Sequence, residues 1–179
     1  MKNKTIVALL LCLLWGFGLS MSESWGFSIT SPLPKPRTEA GSIVQVGLQP
    51  FANSRQYHEV ALDAGITVIS SGECRRLGID AVVERALVHL AEHCDAIYVD
   101  FDIDVLDRAF APACPGARPG GIDPAELRSA ARLCGEHPKV RIADLVEVDP
   151  ECDVARVTVY ATCMCLLGFA SGVARRKQL

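Results

Sequence analysis

Ala96-Ile97-Tyr98-Val99-Asp100-Phe101 runs directly into Asp102-Ile103-Asp104-Val105-Leu106-Asp107, and a loop rich in Pro and Gly follows. The first part is β-branched and aromatic, the composition of a buried strand. Alternate residues of a strand point the same way, so the spacing predicts that Asp102 and Asp104 face one side together at the strand's C-terminal edge. Two ionised carboxylates held that close repel unless a positive charge sits between them, and a hard divalent cation is the usual solution. The bland alternative for the same spacing is a pair of loop aspartates capping turns.

Strands and helices alternate outward from this stretch. Ser42 to Leu48 and Thr67 to Ser70 read as strands. Ser54 to Ala64 reads as a helix with Ser54 as N-cap and Gly65 as its stop. Between Gly78 and Glu92 the apolar positions Ile79, Val82, Val83, Ala86, Leu87 and Leu90 recur at the spacing of a helix lying on a sheet. Asp123, Pro124 and Glu126 form a helix start that runs through Cys134, Lys139 to Val148 reads as a strand carrying Glu147 at its end, and Val154 to Ala174 reads as a long apolar helix. This order predicts an α/β fold, a parallel sheet with helices on both faces. Ligands of such sheets bind beyond the C-terminal ends of the strands, where Asp102, Asp104 and Glu147 fall.

The run Asp102 to Asp107, followed by Phe110-Ala111-Pro112, Pro115 and Pro119-Gly120-Gly121, resembles a signature of the ureohydrolases, the arginases, agmatinases and formimidoylglutamases. Asp144-Leu145-Val146-Glu147-Val148-Asp149-Pro150 resembles a second segment of the same family. The likeness covers about Ser42 to Arg176, and the Phe-Ala-Pro and Pro-Gly-Gly elements lean toward the agmatinase branch. It implies the C-terminal part of an arginase-like three-layer fold and a hydrolase of C–N bonds in linear amidines and guanidines, agmatinase-like and releasing urea. It also implies a two-manganese centre whose ions activate the attacking water. On this resemblance Asp102 and Asp104 are metal ligands, Asp107 braces the loop or the second shell of ligands, and Glu147 pairs with the substrate's guanidinium through two parallel hydrogen bonds.

The departures from that pattern are large. The Gly-Gly-Asp-His-like and Asp-x-His-x-Asp segments that precede the Asp-x-Asp in the family are not found here, so the manganese site is incomplete. Asp100 stands where Ser or Thr is usual, and Arg108 where Pro is common. The expectation is a partial, truncated domain that is inactive or weakly active alone. A non-catalytic interaction or regulatory paralogue, associating with itself or with a full-length relative, is the first alternative. A haloacid-dehalogenase-type phosphatase, with Asp102 as nucleophile and Asp104 as general acid, is the second.

The chain has 179 residues, half of them hydrophobic, and a formal charge of -3. That length and composition fit one packed domain. No Lys/Arg stripe interleaves with aromatics, which excludes a nucleic-acid surface as the leading reading. Residues 1–22 resemble a secretory leader: Lys2 and Lys4, an apolar run from Ile6 to Leu19, then Ser20 and Ser22. Residues 23–41 read as a proline-rich linker and residues 42–179 as the partial ureohydrolase domain. Removing Cys12 with a leader would leave seven of the eight cysteines. That odd number, with spacings unlike a disulfide scaffold, favours a cytoplasmic chain over a secreted one. No membrane span is expected in the folded part. His89 and His93 stand four apart on one helix face, a spacing able to make a metal pair. No Glu completes a His-Glu-x-x-His arrangement, and they are expected as exposed helix histidines.

Overall fold

A computed structural model describes residues 6–11 and 42–176. In chain order they form β1 (Ile6–Leu11), β2 (Ile43–Leu48), α1 (Arg55–Asp63), β3 (Thr67–Ser70), α2 (Ser71–Leu77), α3 (Ile79–His93), β4 (Ala96–Asp102), α4 (Pro124–Glu136), β5 (Val140–Val146) and α5 (Val157–Ala174). The five strands make one sheet in the order β3-β2-β1-β4-β5, and every neighbouring pair is parallel.

Alternation along β2 shows how helices come to cover both faces. Val44 and Val46 point into a core built with Ile79, Val82, Val83, Ala86, Leu87 and Leu90 of α3 and with Leu127, Ala130 and Ala131 of α4. Gln45, between them, points the other way, toward Tyr57, His58 and Ala61 of α1. Val99 and Phe101 of β4 join the first core, where Phe101 meets Phe169 of α5 edge to face at 5.9 Å. The helices start where their caps dictate. Ser54 accepts from the Tyr57 N–H, and Ser70 and Asp123 each form a full capping box with Glu73 and Glu126.

Three details differ from the sequence-based expectation. Ile6–Leu11, read as the middle of a leader, is the central strand, paired with β2 on one side and β4 on the other. The two readings share a pattern, because a strand buried in a parallel sheet is a continuous apolar run. The remainder of the leader and the proline-rich stretch lie outside the described residues. α2 was not anticipated, although Ser70 and Glu73 carry its capping box. Finally, β4 stops at Asp102, and residues Ile103–Val105 turn as a short 3-10 helix.

α5 is long and apolar enough to cross a bilayer by length and composition. Its glycines bring it into backbone contact with α4: a Cβ at Gly168 would lie 2.6 Å from the Arg128 carbonyl, and one at Gly172 would lie 2.2 Å from that of Arg132. Elsewhere α5 exposes Tyr160, Leu166 and Leu167.

Candidate active site

Asp102 ends β4 directly beside Val146, the last residue of β5, and Glu147 follows at once. The two adjacent strand tips therefore bring Asp102 and Glu147 together. Burial, then the charge of Asp102, pushes the Glu147 carboxyl above the ordinary carboxylate range. Glu147 also holds a positive φ of 64°. A non-glycine residue pays for that conformation, and such residues collect at functional sites.

Asp104 reaches the same region by a different route from the one the spacing suggests. It lies in the turn, not in the strand, and its backbone N–H donates to Asp102 Oδ1 at 3.0 Å. Part of the Asp102 carboxylate is thus engaged in capping this turn. Both side chains are buried, with relative exposures of 0 % for Asp102 and 2 % for Asp104. The Gln49 amide anchors the turn from β2's end, donating to the Asp104 and Val105 carbonyls at 3.3 and 3.4 Å. Gly116 leaves room for Asp104: a Cβ there would stand 2.7 Å from Oδ2. Cys114 is fully buried nearby. Burial pushes its thiol up to about 12, and the charges of Asp104 and Asp102 add to the rise.

Asp107 sits beyond the turn and holds the loop. Its carboxylate accepts from the Ala109 and Gly120 N–H groups at 2.9 and 2.6 Å. Those bonds keep its carboxyl below the ordinary range. Arg108 donates to the Cys114 and Ala117 carbonyls, and Arg75 to those of Gly120 and Gly121, so the loop is tied at several points.

Sequence reasoning missed a second acidic layer beneath the tip. Asp100 and Asp144 are register partners on β4 and β5, and Tyr98 Oη donates to Asp144 Oδ2 at 2.7 Å. Burial, followed by the charges of Asp144 and Asp102, pushes Asp100 up to about 7. The period of two from Asp102 back to Asp100 and Tyr98 was the available signal.

Oxygen-only donors buried at a strand tip fit a hard cation such as manganese in kind. They do not fit a two-metal centre in number. Among the described residues, no group of three or more His, Cys, Asp or Glu side chains is placed to hold a metal ion.

The sequence matches the Arginase family model over residues 21–170. A formimidoylglutamase from Halalkalibacterium halodurans is 35 % identical over 130 residues, which cover 73 % of this chain and 41 % of that protein. The chain thus spans less than half the length of that relative. In structure it is similar to the formimidoylglutamase of Bacillus subtilis, with a TM-score of 0.81 and 23 % identity over 97 % of this chain and 55 % of the other. It is equally similar to the Mn2+-containing oxidized formiminoglutamase of Trypanosoma cruzi, at a TM-score of 0.81 and 18 % identity over 98 % of this chain and 57 % of that one. Fold and sequence agree: this chain belongs to the arginase family, with an arginase-like α/β fold.

Proposed function

We propose that this chain carries the Asp102, Asp104 and Glu147 side of a hydrolase centre for linear amidines and guanidines, and that alone it binds manganese weakly and turns over little or no substrate. One observation carries the reading: the tips of the adjacent strands β4 and β5 bring a buried carboxylate turn and Glu147 to one place. Asp102 and Asp104 would hold manganese, which when bound lowers the pKa of the water that attacks the planar carbon. Glu147 presents a carboxylate whose charge is disfavoured by burial and by Asp102. A guanidinium or amidinium offsets that cost and accepts the geometry of two parallel hydrogen bonds. The substrate class takes in guanidino compounds, as the agmatinase-like segments suggest, and formimidoyl compounds, as the names of the relatives suggest. Family membership leaves the phosphatase alternative without support.

We also infer a partner, either a second copy or a full-length relative. Among the described residues, β5 pairs on one side only, and its Ile142 is 52 % exposed, the profile of an edge open to another strand. A cytoplasmic setting is proposed with it, supported by seven free cysteines among the described residues.

The experiment is a manganese titration of the full chain, with assays for urea from agmatine and arginine and for glutamate from formimidoylglutamate. Expected are fewer than two ions bound, weakly, loss of that binding in Asp102→Asn, and little or no product. Tight binding of two ions would overturn the proposal of an incomplete centre. Manganese binding untouched by Asp102→Asn would overturn the ligand assignment.

A further inference from the structure

Between α4 and α5 lies a groove of about 310 Å³, lined by Arg128, Ser129 and Arg132 from α4 and by Leu167, Gly168 and Ser171 from α5. It shares no residue with the strand tips. Gly168 shapes it. Having no side chain, this residue lets α5 come close to α4: a Cβ there would stand 2.6 Å from the Arg128 carbonyl and 3.0 Å from Arg128 Cγ. The Arg128 stem therefore passes over the glycine. Arg128 and Arg132 are one helical turn apart, so both stems leave α4 on the same face, with about 5–6 Å between their Cβ atoms.

The charges around the groove do not cancel. Arg132 donates to Glu136 Oε1 at 2.8 Å, and Arg175 Nη1 lies 3.5 Å from the same oxygen, so one carboxylate serves two guanidiniums. Asp80 accepts from Ser129 Oγ at 2.9 Å and is the other carboxylate at the rim. Arg128 makes no hydrogen bond or ion pair among the described residues. Positive charge is thus in excess, and the Arg128 fork of N–H donors is unused. The Ser171 hydroxyl already donates to the Gly168 carbonyl at 2.8 Å, so the arginines supply the donors. A guanidinium fork matches two oxygens of an oxyanion. The volume falls at the lower end of small-molecule sites, roughly 300–1,000 Å³, and exceeds what an oxyanion alone needs. Leu167, 60 % exposed, adds an apolar wall. We propose that this groove binds a small phosphomonoester, its phosphate held by Arg128 and Arg132 and its organic part resting on Leu167. A phosphate group offers three oxygens and about 1.5–2 negative charges near pH 7, which suits two guanidiniums better than the two oxygens and single charge of a carboxylate. The strand-tip carboxylates are proposed to take a cation, so the two sites would select ligands of opposite charge.

The test is calorimetric titration of the metal-free full chain with phenyl phosphate at low ionic strength. One saturable site is expected. Arg128→Gln should weaken it about tenfold or more, the loss of charge-assisted hydrogen bonds. Arg128 is exposed and holds no other residue, so this variant keeps the fold, which thermal melting checks. Arg55→Gln, an exposed arginine on α1, should change binding less than about twofold. Benzoate is expected to bind about tenfold more weakly than phenyl phosphate, and inorganic phosphate more weakly as well, because it lacks the part that rests on Leu167. The proposal is overturned if phenyl phosphate does not bind, or if Arg128→Gln binds it like the parent. Benzoate binding as tightly would overturn the choice of phosphate, and inorganic phosphate binding as tightly would overturn the role of Leu167. Asp102→Asn is expected to leave phenyl phosphate binding unchanged, whether or not it affects manganese, so this site and the strand-tip assignment stand or fall separately.

Discussion

Adding one methyl group at Gly135 and the same methyl at Gly72 should change stability in opposite directions. Gly135 lies in α4 where α5 crosses it. A Cβ there would stand 2.2 Å from the Phe169 carbonyl oxygen, 3.0 Å from the Val173 nitrogen and 3.1 Å from Gly172 Cα. All three are backbone atoms, so relief requires α5 to retreat by roughly 1 Å, to ordinary van der Waals separation. Alanine's better helix propensity returns about 0.8–1.0 kcal/mol. Overpacking typically costs about 1–3 kcal/mol, and a helix-to-helix backbone clash sits at the upper end. The net expectation is a loss of about 1–2 kcal/mol. The retreat would also loosen the Phe101–Phe169 contact and the bonds from Arg176 to the Gly135 and Val140 carbonyls. At Gly72 in α2 the new methyl meets only Ser70 Oγ, at 3.8 Å, so propensity acts alone and a gain of up to about 1 kcal/mol is expected. Urea unfolding followed by circular dichroism measures both. With a slope of about 1–3 kcal/mol/M, the two midpoints should separate clearly to either side of the parent. A Gly135→Ala protein as stable as the parent, at unchanged slope, would refute the close α4–α5 crossing.

Other perturbations probe the site. Asp107→Ala removes the acceptor for the Ala109 and Gly120 N–H groups, and a loss of about 1–2 kcal/mol is expected, allowing for solvent exposure, with faster proteolysis of the loop after Asp107. The same carboxylate sets a pH dependence. Its folded pKa is lowered, so its contribution is complete above the unfolded value near pH 4 and fades as pH falls through the folded one. The stability difference between parent and Asp107→Ala should therefore shrink below about pH 4 in urea midpoints, and a constant difference would contradict the assignment. Gly116→Ala pushes against Asp104 Oδ2 and is expected to weaken manganese binding about tenfold or more, read from the signal of free Mn2+ in paramagnetic resonance.

Much of this architecture was legible because local signals agreed with one another. β4 announced itself by composition, α4 by Asp123, Pro124 and Glu126, and α3 by its apolar spacing. The approach of Asp102 and Glu147 followed from parallel strands ending at one edge. What escaped was decided by tertiary context. Ile6–Leu11 carries the same apolar run whether it enters a membrane pathway or a sheet, and only its neighbours distinguish the two. Asp104 left the strand pattern because the Asp102 side chain caps a turn, a local bond that competes with the extended chain. The Asp100–Asp144 layer depends on the register between β4 and β5, which no single segment encodes.

The central place of β1 makes Ile6–Leu11 a keystone. With Ile6–Leu11 gone, β2 and β3 would form one ribbon and β4 and β5 another, separated by two strand spacings, roughly 10 Å. Cleavage after this segment and retention of the five-stranded sheet exclude each other. A processing enzyme that trimmed the amino end would dismantle the platform on which Asp102 and Glu147 stand, without touching either residue.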